Sequence, residues 1–570
     1  MNQQQTNDCH ASRALSARGG IQNFFFYLAA ILISCFVLIF IFYSPDFSFY
    51  FPLRYSEDGL GNSVVVKSII DNGWYLTNPY LAAPGMYNLA EYPMSDSASL
   101  LIVKILSCFS KNYAVVINSF YFLTFIFATL ISLVIFERLG LKRWFALAAS
   151  LLFSFLPYHL FRNEGHLLLT TYYVIPLYVL LSVYAYQSPS FSFKKILFFA
   201  LIILFSASSG IYYALFGAFF ILLAGLLGSL EQRNKKNIFF AMMLSVLIAF
   251  TLFLNVSPGF FYQLKNGKNT EIAFRAPAES ELAGLKIIQL ISPVNDHHLR
   301  GFRKSKEHYN QTAPLVNENR VATLGLIASL GFLALLFVLL LRNTELFFWS
   351  RLNVFAVLVA TIGGFGAFFA YHVSSMIRSY NRISVFIAFF SLYAFFFLLQ
   401  KFSNKKMGMA AVLILIIGLY DEIPLQSSIT HYQDIKKQFT SDAEFITAIE
   451  KKLSENSMVF QLPYMYFPES PPINQMKDYD HFRGYLHSKK IQWSYGAVIG
   501  RPIAAWQKKV SALPLPKMIA ELKKEKFSGI YIDRNGYTDH GKLLEKQMRG
   551  LLHAEPIVSP DQRFAFYLFS

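Results

Sequence analysis

Apolar blocks long enough to cross a bilayer recur along this chain, and they restrict its folds more than any motif in it. Segments such as Ile196 to Phe205, Ala214 to Leu230, Phe239 to Leu254 and Leu324 to Leu341 are nearly free of charge and are separated by short polar breaks. About 20 apolar residues span the hydrocarbon core as a helix. Of the 570 residues, 54% are hydrophobic, 17% aromatic and only 15% charged, a balance foreign to an ordinary soluble globule. The expected fold class is therefore mainly α, a polytopic membrane helix bundle.

Eleven spans are expected, centred near residues 33, 125, 152, 177, 201, 220, 247, 332, 362, 391 and 414. The first, from about Phe24 to Tyr43, follows Arg13 and Arg18 as a signal peptide would, but it is too long for one and lacks a small-residue cleavage pattern. It reads as a retained span behind a cytoplasmic tail, 1–21. Alternate connections then carry Arg138/Lys142/Arg143, Lys194/Lys195, Arg233/Lys235/Lys236, Arg342/Arg351 and Lys401/Lys405/Lys406, as the positive-inside rule requires. The opposite face receives the long connections and eleven of the twelve histidines, all but His10. The membrane domain would run over 22–420, with large outer loops at 44–112 and 256–321. The expected placement is that of a multi-pass membrane protein with a cytoplasmic N-terminus.

From residue 421 the composition becomes ordinary. Helical stretches near Asp442 to Leu453 and Pro516 to Lys526 alternate with strand-like runs at Met458 to Leu462, Ile530 to Ile532 and Phe564 to Phe569. Residues 421–570 are expected to form an extracytoplasmic α/β domain. The net charge of +17 is scattered rather than gathered on one recognition helix, which sets nucleic acid aside as a partner. Cys9, Cys35 and Cys108 lie too far apart in the topology for a disulfide or a thiolate cage. There is no Walker loop, no dinucleotide fingerprint, no zinc-peptidase motif and no nucleophile elbow, and no internal repeat supports a duplicated transporter.

The chemistry-bearing residues gather in the outer loops. Arg54-Tyr55-Ser56-Glu57-Asp58-Gly59 sets an acidic pair directly before a helical pattern, so Asp58 is either a proton acceptor at the membrane mouth or a helix cap. Pro157 to His166 packs Arg162, Glu164 and His166 between two spans, where ionisable groups are costly unless paired or wetted. Arg378-Ser379-Tyr380-Asn381-Arg382 and the Arg320 that closes the 256–321 loop bring guanidiniums suited to phosphate oxygens. Asp296-His297-His298 beside Arg300, Arg303, Lys304 and Lys306 is a weak metal pattern and a better anion site or solvated face. The aromatics from Tyr464 to Tyr495 suit either a glycan-binding surface or a domain core.

The plan from about 22 to 570 resembles the GT-C superfamily of integral membrane glycosyltransferases, and more narrowly the YfhO-like bacterial membrane proteins. The features that carry the resemblance are Glu57-Asp58-Gly59, the Gly165-His166-Leu167 turn and the Arg378 to Arg382 boundary. It implies transfer of a sugar from a polyprenyl-phosphate donor to an envelope glycan or lipid acceptor. Asp58 would be the base, with Glu57 its neighbour or a ligand to a divalent cation, the one cofactor in view. Arg162, His166, Glu164, Arg378, Asn381, Arg382 and Arg320 would bind substrate. A second Asp-x-Asp or Asp-x-Glu pair, which would support a metal, is missing from the other loops. The alternative is a non-enzymatic transporter or flippase of a lipid-linked saccharide.

Overall fold

A computed structural model of the chain describes residues 3–92, 94, 96–187, 192–272, 275–341, 344–402, 407–426 and 431–569, with side chains from residue 23 onward except that of Met407. The side chains of Cys9, His10, Arg13 and Arg18, and residues Arg342, Lys405 and Lys406, lie outside this description. Among the described residues seven helices are long and apolar enough to cross a membrane: Asn23–Phe42, Tyr113–Arg138, Arg143–Arg162, Glu164–Gln187, Ile211–Glu231, Lys236–Asn266 and Tyr380–Phe402. Seven of the eleven expected centres fall on them. The other four fall on shorter elements. Three are the helices Phe193–Ala207, Gly325–Val338 and Met407–Glu422. The fourth, near 362, lies in a break between Phe347–Ala360 and Phe365–His372. That break has a local cause, since Gly363 turns left-handed with φ 73° and gives its N–H to the Glu281 carboxylate at 2.7 Å.

Burial separates central from peripheral helices. In the most apolar 18-residue stretch of each helix, 89% of residues are buried in Arg143–Arg162 and 72% in Tyr380–Phe402, but only 33% in Asn23–Phe42 and in Lys236–Asn266, which leave many apolar side chains facing outward. Without a hydrophobic drive between helices in lipid, close packing has to hold the centre, and small residues allow it. Gly331 shows this best: a Cβ there would lie 1.9 Å from the Ser391 carbonyl oxygen on the neighbouring helix.

The C-terminal part is a five-stranded sheet between helices. β1 (Thr77–Asn78) and β2 (Tyr87–Asn88) form a small ladder in the first loop, and the main sheet contains β3 (Met458–Leu462), β4 (Gln492–Trp493), β5 (Phe527–Asp533), β6 (Ile557–Val558) and β7 (Phe564–Leu568). Its order is β4-β3-β5-β7-β6. β3 runs parallel to both β4 and β5, while β7 pairs antiparallel with β5 and β6. β3 and β5 are buried along almost their whole length because both of their faces are covered. One face packs against Met518, Ile519 and Leu522 of the helix Leu515–Lys524. On the other, Phe445 of the helix Tyr432–Glu450 lies 5.9 Å from Tyr531 and 6.0 Å from Phe564, ring to ring.

The first loop and the sheet are built together. Residues Tyr80 to Ala83 run alongside the β4 edge, exchanging Trp493 N–H to Tyr80 at 2.9 Å, Ala83 N–H to Trp493 at 3.0 Å and Ala82 N–H to Tyr495 at 2.9 Å. An edge strand covered in this way offers no free ladder. A buried network reinforces the join. Arg483 donates to Asp442 at 3.0 Å and to the Tyr55 carbonyl at 2.8 Å, and the Tyr55 hydroxyl donates to Asp442 at 2.6 Å. Glu91 and Arg501 add an ion pair at 2.8 Å. Trp493 and Tyr485 are consequently core residues, not an open aromatic surface.

The Gly331 contact gives a direct test. Gly331→Ala should force its helix away from Ser391 and cost about 1–3 kcal/mol, the usual range for overpacking, while Gly408→Ala, with nothing within 4 Å of the added carbon, should leave thermal unfolding of the detergent-solubilised protein unchanged or slightly raised.

Candidate functional site

A cavity of about 430 Å³ opens where the first loop, the membrane helices and the C-terminal sheet domain meet. Asp58 stands on its wall as the first residue of the helix Asp58–Asn72. The turn before it is tight: Glu57 adopts φ 52°, and a side chain at Gly59 would meet Arg54 at 2.7 Å. Such strained backbone persists only where the surroundings hold it. Here Glu57 is pinned by Arg54 at 2.6 Å and by Lys477 of the C-terminal domain at 3.2 Å. These two cations outweigh burial and hold the Glu57 carboxyl below its ordinary range. Neither Glu57 nor Asp58 accepts a backbone N–H at the helix start, so capping does not account for the acidic pair among the described residues.

The Asp58 carboxylate instead faces the cavity, 55% exposed, with His166 Nε2 3.8 Å away. Its surface is open, yet the walls of the recess take it out of bulk water. That burial, followed by the negative charges of Glu469, Glu57 and Glu318, pushes its pKa up to about 6. Asp478 is pushed up to about 7 by burial and by Asp58 and Glu469, against the pull of the Ser470 and Tyr479 N–H groups. His166 is brought in by the turn after Arg162, which Asn62 secures by donating to the carbonyls of Glu164 at 2.9 Å and Gly165 at 3.2 Å.

Across the cavity Glu318 sits between two buried guanidiniums. Arg162 Nη2 lies 2.9 Å from Glu318 Oε2, off the hydrogen-bonding direction, and Arg382 Nη2 lies 3.4 Å from both carboxylate oxygens. Burial would raise the Glu318 carboxyl, but the two arginines hold it well below its usual value. Arg382 also stacks 4.2 Å over the Tyr212 ring, and Arg162 lies 5.1 Å over that of Tyr158. Two positive charges thus face one negative charge. The Nε and Nη2 of Arg162 and the Nε of Arg382 have no hydrogen-bond acceptor among the described residues. On a third side Arg275 grips Glu469 through two contacts of 2.6 and 2.5 Å, and Tyr92 donates to Glu469 at 2.9 Å.

The expected site residues divide. Asp58, His166, Arg378 and Arg382 line the cavity, and Arg162 stands behind Glu318. Glu57 turns away to Arg54 and Lys477. Glu164 is wholly buried and accepts the N–H groups of Leu53 at 2.7 Å and Arg54 at 3.1 Å, holding the irregular segment that leads to Asp58. Asn381 is buried outside the cavity wall, and the exposed Arg320 lies off it. Arg378 pairs with Glu279. Glu318 lay within a sequence stretch already notable for its arginine, but Arg275 and Tyr212 carried no local signal.

The carboxylates around the cavity do not form a divalent-cation cage. Glu57, Glu318 and Glu469 are each engaged by arginine or lysine, and no group of three or more His, Cys, Asp or Glu side chains converges among the described residues. The Asp296-His297-His298 stretch is likewise spent on packing: His297 meets Asp421 at 3.2 Å and His298 stacks on Tyr420 at 4.9 Å.

Among solved structures, the chain is similar to the Archaeoglobus fulgidus oligosaccharyltransferase in its apo form, with TM-score 0.48 and 12% identity over 89% of this chain and 69% of that one. The same enzyme in complex with Zn and sulfate gives 0.46 and 13%, covering 89% and 68%. The archaeal oligosaccharyltransferase AglB from Archaeoglobus fulgidus, in complex with an inhibitory peptide and a dolichol-phosphate, gives 0.40 and 10%, covering 89% and 69%. No protein-family model and no curated protein matches the chain.

Removing the shared acid should expose how the two guanidiniums are tolerated. Glu318→Gln leaves both without a counter-charge and should cost roughly 2–4 kcal/mol, less than a wholly buried pair, because Glu318 is 32% exposed. Thermal unfolding in detergent should show a drop in Tm for this variant that Asp58→Asn does not share.

Proposed function

We propose that this protein is a membrane glycosyltransferase that moves a sugar from a polyprenyl-phosphate donor to a hydroxyl of an envelope glycan or lipid. The observation that carries this reading is the opposition, across one cavity, of a solvent-open carboxylate and a guanidinium pair with excess positive charge. Transfer of a glycosyl group from phosphate needs those two functions. The acceptor oxygen attacks the anomeric carbon, the carbon–oxygen bond to phosphate breaks, and its electron pair leaves on the phosphate. Asp58 takes the proton from the acceptor hydroxyl as that bond forms. Arg382, itself buried, with Arg162 on the same Glu318 carboxylate, matches the charge that develops on the phosphate.

The remaining groups orient the reactants. His166, beside Asp58, is placed to fix the carboxylate or the acceptor hydroxyl. Tyr92, Tyr212 and Tyr479 supply ring faces and hydroxyls at the cavity wall, the chemistry that suits a sugar. Arg378 also lines the cavity, where it is already paired with Glu279. The eleven-span arrangement, the bacterial inner membrane and the outward orientation of the cavity belong to the same proposal, and they rest on the basic connections and the distribution of histidines.

The test is an assay of the purified full chain with a panel of polyprenyl-phosphate sugars. Asp58→Asn should lower turnover by about 10²–10⁴ while the protein inserts and unfolds as the wild type does. A carboxylate with a pKa of about 6 is a base only when ionised, so the wild-type rate should fall about tenfold per pH unit below that value and level off above it. Undiminished turnover in Asp58→Asn, or an acid limb that survives in it, would sink the assignment.

A further inference from the structure

The helix Arg300–Thr312 stands apart from the cavity, and its charge has no use in the mechanism. Its inner face is fixed by polar contacts. Lys306, 1% exposed, donates to Gln289 at 2.5 Å and to Thr323 at 3.1 Å, and Asn310 donates to Asn295 at 2.9 Å. Its other side presents Arg300 and Lys304, with Arg303 half-buried between the faces. None of the three forms an ion pair with a carboxylate among the described residues, although Glu307 lies on the same face. Cations in the first turns of a helix oppose its dipole, so they do not serve the helix itself. On the topology expected from sequence, this loop also lies opposite the basic connections, so positive-inside retention does not explain them.

Contacts at the start of this helix show its depth. His298 stacks on Tyr420, and His297 pairs with Asp421, at the end of the helix Met407–Glu422. That helix exposes Met409, Leu413, Ile416 and Tyr420 along one side, at 67%, 60%, 59% and 51%. Asp421 also accepts the N–H of Leu326 at 2.6 Å, where the stripe Leu326, Leu330, Leu333 and Phe337 begins. Two outward apolar stripes therefore end beneath the basic helix. Around its start, Leu299 and Phe302 are each 49% exposed, beside the cations. Apolar side chains below and arginines and lysines above are the pattern of an element lying at headgroup level.

We infer that the helix Arg300–Thr312 is a docking surface for anionic membrane lipid, with Arg300, Arg303 and Lys304 on the headgroup phosphates and Leu299 and Phe302 among the first acyl carbons. The charge complementarity selects this occupant: the unpaired charges are cationic, and they sit where the lipid stripes end. The surface does not depend on the glycosyltransferase reading, because it shares no residue with the cavity.

The experiment uses the full chain, purified in mild detergent and offered nanodiscs or mixed micelles of phosphatidylglycerol and phosphatidylcholine, with retained lipid measured by native mass spectrometry. The wild type should retain phosphatidylglycerol preferentially, and 0.5 M salt should weaken that preference. Arg300→Gln/Arg303→Gln/Lys304→Gln should reduce retention by at least about tenfold. Lys509→Gln/Lys517→Gln/Lys546→Gln, an equal change of charge on the C-terminal domain, should not. If the triple variant loses Tm, Leu299→Ser/Phe302→Ser supplies the second reading and should lower retention with the charges intact. No preference in the wild type, equal loss in both charge variants, or capture of a protein instead of lipid would overturn the proposal.

Discussion

Charge beside a membrane interior must be matched, and the architecture around the cavity follows from how Glu318 meets that demand. Arg162 closes one helix, Arg382 opens another, and neither guanidinium could be held so deep without the carboxylate between them. Glu318 comes from the loop that precedes Gly325–Val338, so one acid ties three distant stretches of chain to a single point. Because one acid serves two arginines, the point stays positive, and that residual charge gives the cavity its polarity.

The opposite wall depends on a second set of matched charges. Asp442 and Asp480 hold Arg483, Arg483 holds the Tyr55 carbonyl, and Glu164 holds the N–H groups of Leu53 and Arg54. The segment from Leu53 to Glu57 thus has its backbone fixed from both sides before it turns sharply into Asp58. The C-terminal domain takes a direct part in this wall. Its Arg483 and Lys477 reach the acidic turn, and its Glu469 raises the Asp58 carboxyl through space. Groups more than 400 residues away in sequence thus share in setting the carboxylate's surroundings and its proton affinity.

The sequence made the periodic elements legible. Long apolar runs became long helices, and Met458 to Leu462 became β3 over the expected residues, because length and hydrophobic period act locally. Shorter apolar segments were harder to read. The stretch near 362 looks continuous in hydropathy, yet Gly363 and the Glu281 carboxylate break it. Asp58, His166 and Arg382 were visible as unusual polar groups at span boundaries. Glu164, Asn381 and Arg320 looked equally unusual, and only their partners or their direction separate them from the cavity.

Sequence alone determined that this chain buries itself as helices in a bilayer, where its basic connections lie, and that an α/β segment follows, since each depends on composition summed over neighbouring residues. Only the tertiary structure decided which charges cancel and which stay available. A carboxylate's role depends on what faces it within a few ångströms. Glu57 and Asp58 are adjacent in the chain, but one is consumed by Arg54 and Lys477 while the other opens onto the cavity.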